Sequence, residues 1–276
     1  MRYTLISYAP TWLAAVAACA FAQAAVADIP EALDRASLSV GGFFPTVDTR
    51  VSANGPAVAG TDLSFERDLG IDNHRGLASV RLDLLVFDSQ GFSVGGYQYS
   101  KGAGSTLARD IEFGGNDYHA SAFVEAHVRL QTYNAAWHWW FTPTVEDVVG
   151  VGLGAAYYDL KGVIDGGISV NDHSATAHGE AEGNAIAPLL MLGWRHAFSG
   201  NLRGYAYFSG VKKPSGTVTG HLLNGTVGME YYPWRNLGFA LEYSANNLDL
   251  KADKESWEGR ASMHFYGPSA YVRLRL

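Results

Sequence analysis

Beyond Asp28 this chain alternates apolar and polar side chains with a period of two, and no apolar run there approaches the 18 residues of a membrane-crossing helix. The longest such run, Ala185 to Trp194, is about half that and contains Pro188. Leu77 to Phe87 sets Ala78, Val80, Leu82, Leu84 and Val86 against Ser79, Arg81 and Asp83. Ala120 to Leu130 sets Ala122, Val124, Ala126, Val128 and Leu130 against Ser121, Glu125, His127 and Arg129. Leu237 to Asn246 sets Leu237, Phe239, Leu241 and Tyr243 against Gly238, Ala240, Glu242 and Ser244. Successive strand residues point to opposite faces, whereas a helix needs apolar residues at i, i+3, i+4 and i+7. The pattern therefore specifies an all-β chain.

A soluble sandwich alternates in the same way, with apolar residues inward. Two features favour a membrane barrel instead. Charges sit in mid-strand, while aromatics gather near strand ends: Trp137, Trp139, Trp140 and Phe141 precede one tight turn, Tyr231, Tyr232 and Trp234 another. Such rings lie at membrane–water interfaces. Short connections (Asp88 to Gln90, Pro143 to Asp147, Ser199 to Asn201, Trp234 to Asn236) also alternate with long Gly-, Asp- and Ser-rich stretches. Outer-membrane barrels have this asymmetry of turns and loops. Four short turns with both termini on the same side give a closed antiparallel transmembrane β-barrel of about ten strands, with eight or twelve as alternatives. The predicted spans are roughly 36–47, 75–87, 91–101, 118–142, 148–161, 184–198, 202–212, 217–233, 237–250 and 258–276. Leu63 to Arg67 and Leu107 to Phe113 alternate too. They either extend loops or raise the count to twelve.

Residues 1–27 read as a secretory signal peptide: Arg2 is the only charge before Asp28, Leu13 to Ala22 is small and apolar, and Ala25-Val26-Ala27 is a cleavage site. Val16-Ala17-Ala18-Cys19 offers lipidation at Cys19 as the competing reading. The barrel then occupies 28–276. It holds no cysteine, since Cys19 is the sole one in the chain. Disulfides, thiol catalysis and Cys-ligated metals are excluded. A net charge of -7 argues against nucleic-acid binding, and 13% aromatic with 17% charged residues argues against disorder.

At the end of the chain Ala270, Val272, Leu274 and Leu276 alternate with Tyr271, Arg273 and Arg275. This stretch resembles the terminal strand of bacterial outer-membrane barrels, which the barrel-assembly machinery reads. The resemblance makes Tyr271, Val272, Leu274 and Leu276 the assembly signal, although Leu276 stands where Phe is usual. Before Gly267-Pro268 the phase reverses, placing Met263 and Phe265 outward and His264 and Tyr266 inward, with a bulge expected at Gly267-Pro268. Glu230-Tyr231-Tyr232-Pro233-Trp234-Arg235-Asn236-Leu237-Gly238, Leu248-Asp249-Leu250, Tyr266-Gly267-Pro268 and Gly41-Gly42-Phe43-Phe44-Pro45 together resemble uncharacterised proteobacterial outer-membrane β-barrel proteins. That resemblance implies fold and location: the outer membrane of a Gram-negative cell, amid lipids that include lipopolysaccharide. It implies no activity.

With the apolar faces outward, the lumen holds Arg81, Asp83, Glu125, His127, Arg129, Arg195, Arg203, Glu230, Glu242, Arg260, Arg273 and Arg275, with Tyr205, Tyr207 and Tyr266 as bulk. Gly150, Gly152 and Gly154 leave room for those rings. Barrels of eight to ten strands are filled by their own side chains, so these charges pair. The expected function is non-enzymatic: a narrow channel for small polar solutes, selective for anions through its arginine surplus, or a closed monomeric scaffold presenting surface loops. The alternative is an outer-membrane enzyme acting on lipid A or peptides. His119-Ala120-Ser121 has the His-x-Ser spacing of lipid A deacylases but lacks the rest of their motif, and Asp172-His173 is a weak match to omptin-like proteolysis. Asp172, His173, His178, Glu180 and Glu182 in the stretch Asp165 to Gly183 are metal-ligand types, but a flexible acidic loop is the preferred explanation, since long loops are polar anyway. No cofactor or metal is expected.

Overall fold

The computed structural model describes residues 29–54, 63–64, 76–106, 111–113, 116–118, 123–170, 173–254 and 257–276. The signal segment with Cys19, the His119 to Ser121 motif and Asp172 lie outside the described residues. The strands are β1 (Ala36–Phe43), β2 (Thr46–Asn54), β3 (Leu63–Ser64), β4 (Leu77–Phe87), β5 (Gln90–Thr106), β6 (Ile111–Phe113), β7 (Asn116–Tyr118), β8 (Phe123–Phe141), β9 (Asp147–Val170), β10 (His173–Ser199), β11 (Leu202–Lys213), β12 (Val218–Tyr231), β13 (Leu237–Lys254) and β14 (Trp257–Arg275).

Neighbours run β1-β4-β5-β8-β9-β10-β11-β12-β13-β14, and β14 pairs back onto β1, which closes the sheet. β2 continues β1. Phe43 opposes Ser269 and Thr46 opposes Tyr266 in one unbroken register, and the Phe44 amide donates to the Pro268 carbonyl across 2.8 Å between them. The barrel therefore has ten strands, all antiparallel. β3 pairs with β2, and β6 with β7, so the described parts of both doubtful stretches belong to the loops. The four expected tight turns join β4 to β5, β8 to β9, β10 to β11 and β12 to β13 at one end. At that end the chain's last residue meets the first barrel strand: the Leu276 amide donates to the Ala36 carbonyl at 2.9 Å.

The strands are longer than a membrane requires. A tilted transmembrane β-strand needs about 9–11 residues, whereas β8, β9 and β10 have 19, 24 and 27. The outer face explains the excess. On β8, Phe141, Trp139, Trp137, Ala135 and Tyr133 face out, followed by Gln131, Arg129, His127 and Glu125. On β9, Val149, Val151, Leu153, Ala155 and Tyr157 give way to Asp159 and Lys161. On β14, Leu274, Val272, Ala270, Pro268 and Tyr266 give way to His264, Ser262 and Arg260. Each of these apolar stretches covers nine residues, the depth of a hydrocarbon core. Aromatics mark the upper boundary, with Tyr133 and Tyr157 stacked at 6.4 Å. Above it the barrel stands in water.

This two-part wall corrects four expectations. Val124, Ala126, Val128 and Leu130 are buried inside, while Glu125, His127 and Arg129 face solvent. Met263 and Phe265 are likewise interior, at 0% and 1% exposure, and His264, Tyr266 and Arg260 point out. The β13–β14 register runs unbroken through Gly267 and Pro268, so no bulge is present. What reverses is the medium outside, not the strand's phase: above the membrane the apolar side must turn inward. For the same reason 165–170 and 173–183, expected as part of a loop, pair as the upper part of the β9–β10 hairpin.

Candidate functional site

Three layers fill the lumen. At the short-turn end, residues 29–35 precede β1 and fold back across the opening. Ala32 (0% exposed) and Leu33 pack with Leu85, Val148 and Ala197. The Ala32 carbonyl accepts from Arg195 Nε at 2.7 Å. The Asp34 carboxylate meets Arg203 at 2.7 Å, Arg273 at 3.5 Å and Arg275 at 3.7 Å. Behind it Glu230, fully buried, accepts from Arg195 Nη2 on both oxygens at 2.9 Å, from the Tyr232 hydroxyl at 3.0 Å, and lies 3.2 Å from Arg273. Arg81 donates to both oxygens of Glu242 at 3.2 and 3.4 Å, and Tyr205 donates to Glu242 at 2.6 Å. Arg273 also reaches Asp83 at 3.5 Å and donates to Ser37 at 2.6 Å. Arg203 and Arg275 lie over the Tyr232 ring, and Arg195 over Tyr205.

Alternation places these groups. Arg81 and Asp83, Arg203 and Tyr205, and Arg273 and Arg275 are each two residues apart on one strand, hence on one face. Small residues leave them space: a Cβ on Gly228 would sit 2.5 Å from the Tyr205 ring, and one on Gly152 2.8 Å from His138.

Above this layer lies a cavity of about 220 Å³ whose wall mixes short polar side chains such as Ser79, Thr132, Asn134 and Thr226 with apolar ones such as Tyr97, Tyr158, Leu189 and Met191. Ser93 Oγ and His138 Nε2 are 2.7 Å apart at its wall. The third layer is apolar. Val124, Val128, Leu130, Ile164, Leu222, Leu248, Met263 and Phe265 belong to one buried cluster inside the barrel.

Of the expected lumen charges, Arg81, Asp83, Arg195, Arg203, Glu230, Glu242 and Arg273 come together, and Arg275 caps them at the mouth. Glu125, His127, Arg129 and Arg260 do not join them. The expected arginine surplus accordingly shrinks to one: Arg81, Arg195, Arg203, Arg273 and Arg275 face Asp34, Asp83, Glu230 and Glu242. Asp34 escaped the sequence reading because it precedes the first strand and belongs to no alternating pattern. Of the residues expected as the assembly signal, Tyr271 is buried on the lumen face with Ser269 and Arg273, while Val272, Leu274 and Leu276 are exposed on the outer wall.

Among the described residues no group of three His, Cys, Asp or Glu is arranged around a metal position. His178, Glu180 and Glu182 lie on the outer, water-facing side of β10, where cations already occupy the carboxylates. His178 Nδ1 is 2.6 Å from Asp165, Lys161 donates to Glu180, and Arg129 reaches Asp159 at 3.5 Å. The Asp165 hydrogen bond holds the His178 imidazole above its ordinary pKa, and Lys161 holds Glu180 below the usual carboxylate value.

The fold is that of a bacterial outer-membrane barrel. Aligned with the outer-membrane protease OmpT of Escherichia coli it gives a TM-score of 0.56 at 10% identity, covering 87% of this chain and 96% of that one. The outer-membrane protein OprG of Pseudomonas aeruginosa aligns over 90% of this chain and all of its own, at 9% identity and a TM-score of 0.40. No protein-family model and no curated protein sequence matches the chain.

Proposed function

We propose that this protein is a closed outer-membrane scaffold: a monomeric barrel, exported by residues 1–27 and inserted by the barrel-assembly machinery, that works through the surface it raises above the membrane and not through a pore or a catalytic centre. The observation that carries this reading is the segment Ala32 to Asp34 lying across the lumen in the grip of Arg195, Arg203, Arg273 and Arg275. A solute path would have to break those ion pairs, which are dry and costly to open, and then pass the apolar layer above. The likeness to OmpT concerns the fold alone at that identity and brings no proteolysis with it. Planar-bilayer recording of the refolded, heat-modifiable barrel tests the reading. No conductance steps are expected. Steady steps whose size shifts on Arg203→Ala would overturn it in favour of a channel.

A further inference from the structure

The lumen cavity of about 220 Å³ lies between the charged layer and the apolar one, and its wall changes character along the barrel axis. On β13 the inward residues pass from Glu242 through Ser244 and Asn246 to Leu248, and on β12 from Glu230 through Thr226 and Asn224 to Leu222. The hydroxyls and amides of the middle are bonded among themselves: Asn224 donates to Asn246 at 2.7 Å, and Thr226 and Ser244 lie 2.8 Å apart. Tyr158, Leu189 and Leu222 belong both to the cavity wall and to the apolar cluster. The volume is far above the roughly 10–15 Å³ that one water needs and just under the ~300 Å³ at which ligand pockets begin. It suits a small molecule that is polar at one end and apolar at the other.

The charges at the cavity's polar end say more. Among the described residues, Asp34, Arg81, Asp83, Arg195, Glu242 and Arg273 line it, three of each sign. Asp34, Arg195, Glu242 and Arg273 are covered, each with 5% or less of its side-chain surface accessible. Arg81 and Asp83 keep 28% and 34%. Both stand on the inward face of β4, so that surface opens into the cavity. Their partners within the barrel hold them loosely, Arg81 at 3.2 and 3.4 Å from Glu242 and Asp83 at 3.5 Å from Arg273. Gly95, directly opposite Arg81 in register, puts no side chain into the space beside it. Two residues along a strand set the uncovered cation and anion about 7 Å apart at their Cα atoms. A simple anion drawn to Arg81 meets Asp83, and a simple cation drawn to Asp83 meets Arg81. A molecule that carries both charges satisfies both.

We propose that the lumen cavity binds a small zwitterion with an apolar group, the chemistry of an apolar amino acid: its carboxylate on Arg81, its ammonium on Asp83 and its apolar group against Tyr158, Leu189 and Leu222. The site goes beyond the scaffold reading and does not depend on it. With a plug at each end, the ligand enters as the barrel folds. The mature barrel is therefore refolded in graded concentrations of L-leucine, desalted and read by native mass spectrometry. One leucine per barrel is expected. 4-Methylpentanoate, which lacks the ammonium, and 3-methylbutylamine, which lacks the carboxylate, are each expected to bind on the order of 10- to 100-fold more weakly, the worth of one hydrogen bond to a charged group. Asp83→Asn is expected to bring leucine down to the level of 4-methylpentanoate. Because Asp83 also touches Arg273, Ser79→Leu is the second variant: it fills the cavity, leaves every charge in place and is expected to exclude leucine from a heat-modifiable barrel. Equal binding of leucine and 4-methylpentanoate would overturn the proposal, as would unchanged leucine binding in Ser79→Leu. A folded, silent barrel that takes no leucine overturns this site alone. A barrel that takes leucine and also conducts supports the site while removing the closed lumen.

Discussion

Glu230 and Glu125 look alike in the sequence, each a lone acid in an alternating strand, and the structure gives them opposite surroundings. Glu230 is fully buried between Arg195 and Arg273, whereas Glu125 faces water. Removing one partner of a buried ion pair strands the other charge at a cost of about 3–5 kcal/mol, while exposed substitutions stay within about 0.5 kcal/mol. Glu230→Gln is thus expected to lower urea resistance of the folded barrel by roughly that larger amount and Glu125→Gln to leave it unchanged. Equal effects would mean the network is not a structural clamp. His178 offers a separate residue-scale test. Asp165 and Glu180 raise its pKa in the folded state, so its contribution is complete below the unfolded value and fades as pH climbs through the folded one. Its imidazole NMR signal should titrate above the ordinary histidine midpoint, and Asp165→Asn should bring the midpoint down.

At the scale of the strand, periodicity and facing separate. The alternation of β8 and β14 was legible from the residues alone, as were the four tight turns and the strand count. Which face turns inward was not, because a period of two defines two faces without naming the solvent on either. Within the membrane the outer face must be apolar. Above it the rule inverts, and one strand obeys both in sequence: on β8 the outward set passes from Tyr133 to Gln131 while the inward set passes from Thr132 to Leu130. The only trace of the boundary is that double exchange, which at Gly267-Pro268 imitates a bulge. Asp34 was illegible for a different reason, since a segment that plugs a lumen needs length and one well-placed charge but no repeat. Labelling with a membrane-impermeant maleimide can check the facing. His127→Cys should react on intact cells and Val128→Cys should not. Leu241, 68% exposed on the lipid wall, supplies the companion case: Leu241→Arg should abolish assembly, at about 2–4 kcal/mol for a charge in the hydrocarbon, whereas Ser262→Arg above the boundary should assemble normally.

For the whole molecule, the proposed closure is redundant. The N-terminal segment and its arginines stand at one end, the buried apolar cluster from Val124 to Phe265 at the other, and a cavity of about 220 Å³ lies between them. Two plugs in series have a consequence that a single gate would not. Asp34→Ala removes the carboxylate shared by Arg203, Arg273 and Arg275, leaving three cations with less compensation at the barrel mouth, so the folded state should lose stability on the scale of a broken buried pair, about 3 kcal/mol or more. The barrel should nonetheless stay silent in a planar bilayer, because Leu130, Leu248, Met263 and Phe265, all buried, still pack the upper lumen. A destabilised but non-conducting Asp34→Ala barrel is the expected outcome. Conductance steps on this one substitution would show that the N-terminal segment alone is the gate and that the upper layer admits ions.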